Sequence, residues 1–495
     1  GVYFFSVLSR AVSPMLWCWC LLVLCPWVRS DVVHIPVSKE WALTDGRQPA
    51  SQMAVSPVDR VTALAYATIH VGTPPQPFTM QIDTGSADFL LPGRECTGCP
   101  EPVDHAGQPR VHGGFEVAAS KTARYPMVCG RHSDAVCAFR MRYGDGSTTS
   151  GVVVEDWMSM LVDNKPVVSS RVYIDMQLAT VPQSRWRHRN YDGIFGMGPD
   201  SAVGNNFTAP FSLVLQHQHF ANIFALDVGL DIGHAGGVLS IGGTDRRHYK
   251  GEIKWTPMMK RDCIWEYCVA ALSLDLGGAT IVKSLTEFGV TLIDSGTTQS
   301  LLPPGIMRKI QAHFQAHYCH LPLVCGPPGK TLFDDHCIEG DELPRGFPTF
   351  TWRFDNGVNV VVTPEVYFER WRGPPLRWCL GIAAREPELG NPNTTLGDTF
   401  MAAAYVVFDR HNSRMGFADP VRPARGAVLP GATQRAVPLP TQPRTRAHLG
   451  MVLGYSGAML VVLTLMLSYR QAVAPAGEAP QGPPAGEVAP QYGAL

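Results

Sequence analysis

Neither sign of charge predominates in this chain. Its 495 residues carry 41 Lys and Arg against 42 Asp and Glu, a formal net charge of -1 and a pI near 7.0. A nucleic-acid binder needs a basic face to neutralise phosphates, so this balance argues against such a partner. Charged residues make up only 17% and hydrophobic ones 45%, the proportions of an ordinary globular protein. Gly (48) and Pro (41) are plentiful, which favours many turns and short strands over long helices. The chain is too long for one compact core and fits two or three units with appendages.

Two apolar runs stand out, one near each end. Arg10 precedes a run from Met15 to Val28, which Arg29, Ser30 and Asp31 follow. A charged start and an apolar core of this length are the parts of a secretory signal peptide, expected over 1–30. The second run, 449–469, holds no charge, and as a helix it spans roughly 31 Å, about a hydrocarbon core. It is expected to be a single transmembrane helix. Arg435, Arg444 and Arg446 before it and Arg470 after it would put its N-terminal side in the cytoplasm by the positive-inside rule. A signal peptide commits the preceding domain to translocation first, so the opposite, type I orientation is expected. Residues 421–448, rich in Pro, Arg, Thr and Gly, read as a stalk, and 470–495 as a cytoplasmic tail with no core-forming capacity. The tail carries Tyr492-Gly493-Ala494-Leu495, similar to a tyrosine-based endosomal sorting signal.

Three cysteines (Cys18, Cys20, Cys25) fall in the signal. Ten remain: Cys96, Cys99, Cys129, Cys137, Cys263, Cys268, Cys319, Cys325, Cys337 and Cys379. An even number behind a signal peptide implies disulfides, not metal ligation. Connectivity does not follow from sequence. The expectation is Cys263–Cys268, Cys319–Cys325, Cys337–Cys379, and two bonds among the first four. Asn206-Phe207-Thr208 is a glycosylation candidate in a lumenal domain.

Two stretches repeat one another. Ile82-Asp83-Thr84-Gly85-Ser86 is followed by Leu90-Leu91-Pro92, and Ile293-Asp294-Ser295-Gly296-Thr297 by Leu301-Leu302-Pro303. In both, the Leu-Leu-Pro begins seven residues after the Asp. A lone Asp-[Ser/Thr]-Gly means little; two copies with matching flanks, 211 positions apart, read as one duplicated lobe. Ile194-Phe195-Gly196 and Thr395-Leu396-Gly397 recur behind them. Phe78, Met80 and Ile82, and Val290, Leu292 and Ile293, read as buried strands delivering each loop to a floor between the halves.

Water is a poor nucleophile at an amide carbon. Two adjacent carboxylates in a low-dielectric site cannot both ionise easily, so they share one proton. The ionised one can take a proton from a water while the other gives one to the carbonyl oxygen, with no metal, cofactor or covalent intermediate. Gly85 and Gly296 allow a sharp turn. Ser86 and Thr297 can hydrogen-bond the outer carboxylate oxygens.

At these residues the chain resembles the pepsin family of aspartic endopeptidases, over roughly 61–420. Residues 66–76 are similar to that family's first strand and turn, and Tyr143-Gly144-Asp145-Gly146-Ser147 resembles its flap. Tyr191-Asp192-Gly193-Ile194-Phe195-Gly196 and Leu396-Gly397-Asp398 resemble the units behind its catalytic loops. The resemblance implies an all-β, bilobal fold with lobes at 61–250 and 251–420. It also implies Asp83 and Asp294 as the catalytic pair, with Tyr143 and Gly144 in a flap over an extended polypeptide of about eight residues. A monomer is expected.

The chain departs from pepsin at Leu90, where pepsin has a Trp. The β-secretase group also lacks that Trp and shares the layout of signal, two lobes, one helix and tail. Cys96, Cys99, Cys129 and Cys137 resemble the insert of nepenthesin-like enzymes and plasmepsin V. Gly144 stands where plasmepsin V has a Cys. Residues 31–60 read as a prosegment, and their balanced charge predicts weak self-inhibition. The enzyme is expected on the secretory or endolysosomal route with its catalytic domain lumenal or extracellular. The rival reading is a catalytically silent pepsin-like binding or receptor protein; the intact loops and flap speak against it.

Overall fold

The computed structural model describes residues 32–41, 63–99, 101–102, 113–126, 136–143, 147–162, 164–181, 188–189, 191–204, 207–229, 237–259, 263, 267–371, 375–385 and 393–422. All of them fall in one compact unit. The expected signal, stalk, 449–469 helix and tail lie outside the described residues. Among the described residues no helix is long and apolar enough to cross a membrane.

The fold is mostly β, as the turn-rich composition requires, with a few helices the sequence reading did not assign. The longest, Pro304–His317, starts with Pro in its first turn, where no N–H partner is lost, and buries Ile306, Ile310 and Phe314 on one stripe. A 13-stranded sheet runs through the first half. At its centre Ala63–Val71 pairs antiparallel with Gln76–Asp83, which runs parallel to Gly193–Gly196. The long hairpin Thr148–Val162 and Lys165–Val181 closes one side of it. A separate five-stranded sheet carries the second aspartate loop, in the order Cys268–Val269, Thr291–Ile293, Thr394–Leu396, Ser300–Leu302, Ile382–Ala384.

Two boundaries differ from the sequence reading. Val33–Trp41, expected within a prosegment, is a strand of the large sheet between Gly237–Ile241 and Ala63–Val71. Its inward residues Val33, Ile35 and Val37 are buried, a period-2 pattern too short to distinguish from a loop before pairing is known. Tyr405–Asp409 and Arg414–Pro420, from the second half, also join this sheet through Ile223–Asp227. The two halves are therefore joined by main-chain pairing, which a division at residue 250 does not anticipate.

The structure pairs Cys96 with Cys99, Cys263 with Cys268, Cys319 with Cys325, and Cys337 with Cys379. Cys137 is also disulfide-bonded; Cys129 lies outside the described residues. The Cys337–Cys379 loop of 42 positions restrains the unfolded chain by about 4 kcal/mol in the chain-entropy account.

Candidate active site

Each aspartate stands at the end of a buried strand. Phe78, Met80 and Ile82 bury Gln76–Asp83, and Thr291–Ile293 is buried throughout. In the first half Gly193–Gly196 lies between that strand and Phe89–Thr97, with Phe195 opposite Ile82 and Gly196 opposite Asp83. In the second, Thr394–Leu396 lies between Thr291–Ile293 and Ser300–Leu302, with Leu396 opposite Ile293. The repeated apolar-apolar-Gly unit is thus the strand wedged behind each loop. The Phe89 and Phe195 rings meet edge-on at 5.3 Å between the strands they close.

The two loops meet and hold their carboxyl groups in matching ways. Gly85 N donates to Asp83 Oδ1 at 2.8 Å and Ser86 Oγ to Asp83 Oδ2 at 2.5 Å. Gly296 N donates to Asp294 Oδ1 at 2.7 Å and Thr297 Oγ1 to Asp294 Oδ2 at 2.5 Å. Both carboxyl groups are nearly buried, and they are hydrogen-bonded to each other. Asp83, Gly85, Ser86, Asp294, Gly296 and Thr297 are therefore brought together as one constellation. Burial first, then the negative charge of Asp294, pushes the Asp83 carboxyl up to about 8, against the hydrogen bonds from Ser86 and Gly85.

The middle residues of the two motifs, to which the sequence reading gave no role, lock the loops together. Thr84 Oγ1 donates to Ile293 O at 3.0 Å and accepts from Ser295 N at 3.0 Å. Ser295 Oγ donates to Ile82 O at 2.7 Å and accepts from Thr84 N at 3.1 Å. Each such buried bond contributes on the order of 1 kcal/mol, but their effect is geometric: they fix one loop against the other. The available signal was the hydroxyl at the middle position of both motifs. Gln81 Nε2 adds a further tie to Gly296 O at 3.0 Å.

Tyr143 stands at the base of the hairpin, its N–H donating to Ser147 O at 2.9 Å. Gly144 and Asn206 lie outside the described residues. Tyr143 packs against a buried cluster that includes Leu64, Tyr66, Leu90 and Tyr191. The Leu that replaces pepsin's Trp is thus a core residue beneath the hairpin.

A second carboxyl pair lies close behind the first loop. Asp88, five residues after Asp83, is buried and accepts from Gly204 N through Oδ1 at 3.2 Å and Oδ2 at 3.3 Å. Its side chain is also hydrogen-bonded to buried Asp175. Burial pushes Asp88 up to about 6 despite those two hydrogen bonds. The value in an unfolded chain is near 3.8, so at neutral pH the ionised group costs about 3 kcal/mol. Between about pH 4 and pH 6 the unfolded chain releases this proton first, and stability falls as pH rises. Asp88→Asn keeps the shape and an acceptor for Gly204. It is expected to raise the melting temperature at pH 7 and hardly at pH 4. Thermal melts at both values check this; an equal change at each would refute it.

The family model described as eukaryotic aspartyl protease matches residues 65–420. Cathepsin E of Cavia porcellus is 28% identical over 360 residues, covering 72% of this chain and 81% of that protein. Cathepsin D of Mus musculus is 27% identical over 383 residues, covering 76% and 84%. Gastricsin of Oryctolagus cuniculus is 26% identical over 402 residues, covering 79% and 92%.

Proposed function

The chain belongs to the eukaryotic aspartyl protease family, and from that premise we propose that Asp83 and Asp294 hydrolyse peptide bonds of an extended polypeptide by activating a water between them. The observation that carries this reading is the pair of mirror-related loops, each holding one buried carboxyl group against the other.

With one proton shared, the ionised carboxylate accepts a proton from the water as its oxygen attacks the carbonyl carbon. The protonated carboxyl group gives its proton to the carbonyl oxygen. The product is a neutral gem-diol, and the dyad again holds one proton. Transfer of a proton to the amide nitrogen and collapse of the diol break the C–N bond, leaving a carboxylic acid and an amine. Gly85 N, Ser86, Gly296 N and Thr297 hold the carboxyl oxygens in place throughout, so little reorganisation accompanies the reaction. The Tyr143 hairpin closes over the substrate.

The apolar runs at 15–28 and 449–469 support a protein of the secretory or endolysosomal route, anchored by one helix with its catalytic part lumenal or extracellular. The full-length chain in detergent should cleave a peptide library between about pH 4 and 7, and pepstatin should stop it. The raised Asp83 carboxyl sets the sign of the upper limb: activity is lost as rising pH removes the shared proton. That limb is expected well above the ordinary carboxyl range. A limb near pH 4, or cleavage indifferent to pepstatin, would count against the assignment.

A further inference from the structure

One cation lies on the same face of the second sheet as Asp294. Paired residues in neighbouring strands point to the same side, and alternate residues along a strand do too. Leu292 lies opposite Thr395, Thr395 opposite Leu301, and Leu301 opposite Ala383. Asp294 and Arg385 each lie two residues beyond this row, at the ends of the outer members. Both continue their ladders: Asp294 N donates to Leu396 O at 3.0 Å and Arg385 N to Leu302 O at 2.8 Å. Arg385 Nη1 donates to Thr395 Oγ1 at 3.2 Å, which anchors the guanidinium on that face. The residue is only 7% exposed.

A buried guanidinium keeps its charge at the expense of lost hydration. Burial presses Arg385 below its usual range, and the charge of Asp294 acts against that. The attraction is mutual, so the same energy favours the ionised form of Asp294. From this shared face and anchor, we propose that Arg385 is a positioning residue: it keeps the dyad's negative charge on Asp294 and leaves the shared proton on Asp83. Asp294 is then the base that takes the proton from water, and Asp83 the acid that protonates the carbonyl oxygen.

The neighbouring elements define what else acts on this cation. Ser300–Leu302 and Thr394–Leu396 contribute no titratable group. The helix Asp398–Met401 brings buried Asp398. The helix Pro304–His317 turns Ile306, Ile310 and Phe314 inward, while Arg308, Lys309 and His317 are exposed and His313 is half-buried. Across the dyad stands Asp83.

The inference rests on the proposed protease activity, and one experiment separates the two. The pH profile of kcat/KM between about pH 3 and 8 is measured on an uncharged peptide with full-length wild type, Arg385→Met, Arg385→Lys and Thr395→Val. Loss of the cation destabilises ionised Asp294, so the acid limb of Arg385→Met should move up by about half a pH unit or more. The basic limb, set by the more distant Asp83, should move less. Arg385→Lys should keep the wild-type acid limb. Thr395→Val keeps the charge but removes its anchor, and should shift the acid limb in the same direction by a smaller amount. If Arg385→Met does not accumulate as folded protein, Thr395→Val decides, and an unmoved limb there overturns the proposal. Coincident acid limbs for wild type and Arg385→Met, or a Lys variant shifted as far as Met, overturn it too. A wild-type chain with no pepstatin-sensitive cleavage overturns the protease reading instead.

Discussion

Asparagine in place of either Asp83 or Asp294 is expected to lower kcat/KM by at least about 10⁴-fold, with folding retained. Proton transfer by a well-placed group is worth roughly 10² to 10⁴. Here each carboxyl group also sets the state of the other, so removing one disables both the base and the acid. Such coupled losses do not add, and the double variant should be little worse than either single one. The fold should survive, because Asn fits the site and accepts the same hydrogen bonds from Gly85 and Ser86, or from Gly296 and Thr297. Burial and the facing charge make ionised Asp83 unfavourable, so Asp83→Asn should melt no lower than wild type at neutral pH. Melting curves beside a peptide-cleavage assay check both halves. Retained cleavage in a folded variant would remove the dyad from the mechanism.

The second large effect comes from a single methyl group. A Cβ at Gly85 would meet the Asp294 carboxyl group, with Oδ1 at 2.5 Å and Cγ at 2.6 Å. A Cβ at Gly296 would meet the Asp83 carboxyl group in the same way. Real Cβ atoms do not sit that close, so the opposing carboxyl group has to move. A displacement of about 1 Å at reacting groups can cost on the order of 10²-fold in rate. Gly85→Ala and Gly296→Ala are each expected to reduce kcat by about that factor or more, through the aspartate of the other half. A structure of Gly85→Ala should show Asp294 displaced and Asp83 in place. Wild-type kcat in either variant would mean that the loops are loose enough to absorb the methyl group.

The chemistry was legible before any fold was known because it is carried by short contiguous motifs. Two copies of Asp-[Ser/Thr]-Gly with matching flanks can be recognised from neighbours in sequence alone, and the strands entering them announce themselves by Phe78, Met80 and Ile82. The four hydroxyl-to-backbone bonds of Thr84 and Ser295 were less legible. Both residues lie in the motifs, but their partners are 209 to 213 positions away. The charged groups behind the site were not legible. Asp88 follows Asp83 closely, yet nothing local marks it as buried against Asp175. Arg385 reaches the face of Asp294 only because Ile382–Ala384 pairs with Ser300–Leu302, a register no sequence pattern discloses.

The sequence by itself determined the identity of the two acids, the duplication that supplies one to each half, and the turn-rich strand architecture around them. Those properties depend on residue type and short-range spacing. Tertiary structure decided which groups surround the acids, that Val33–Trp41 and the last two strands are shared in one large sheet, and where the nearby charges lie. Strand pairing and burial are long-range outcomes, and a carboxyl or guanidinium group acquires its chemical character from what the folded chain packs against it.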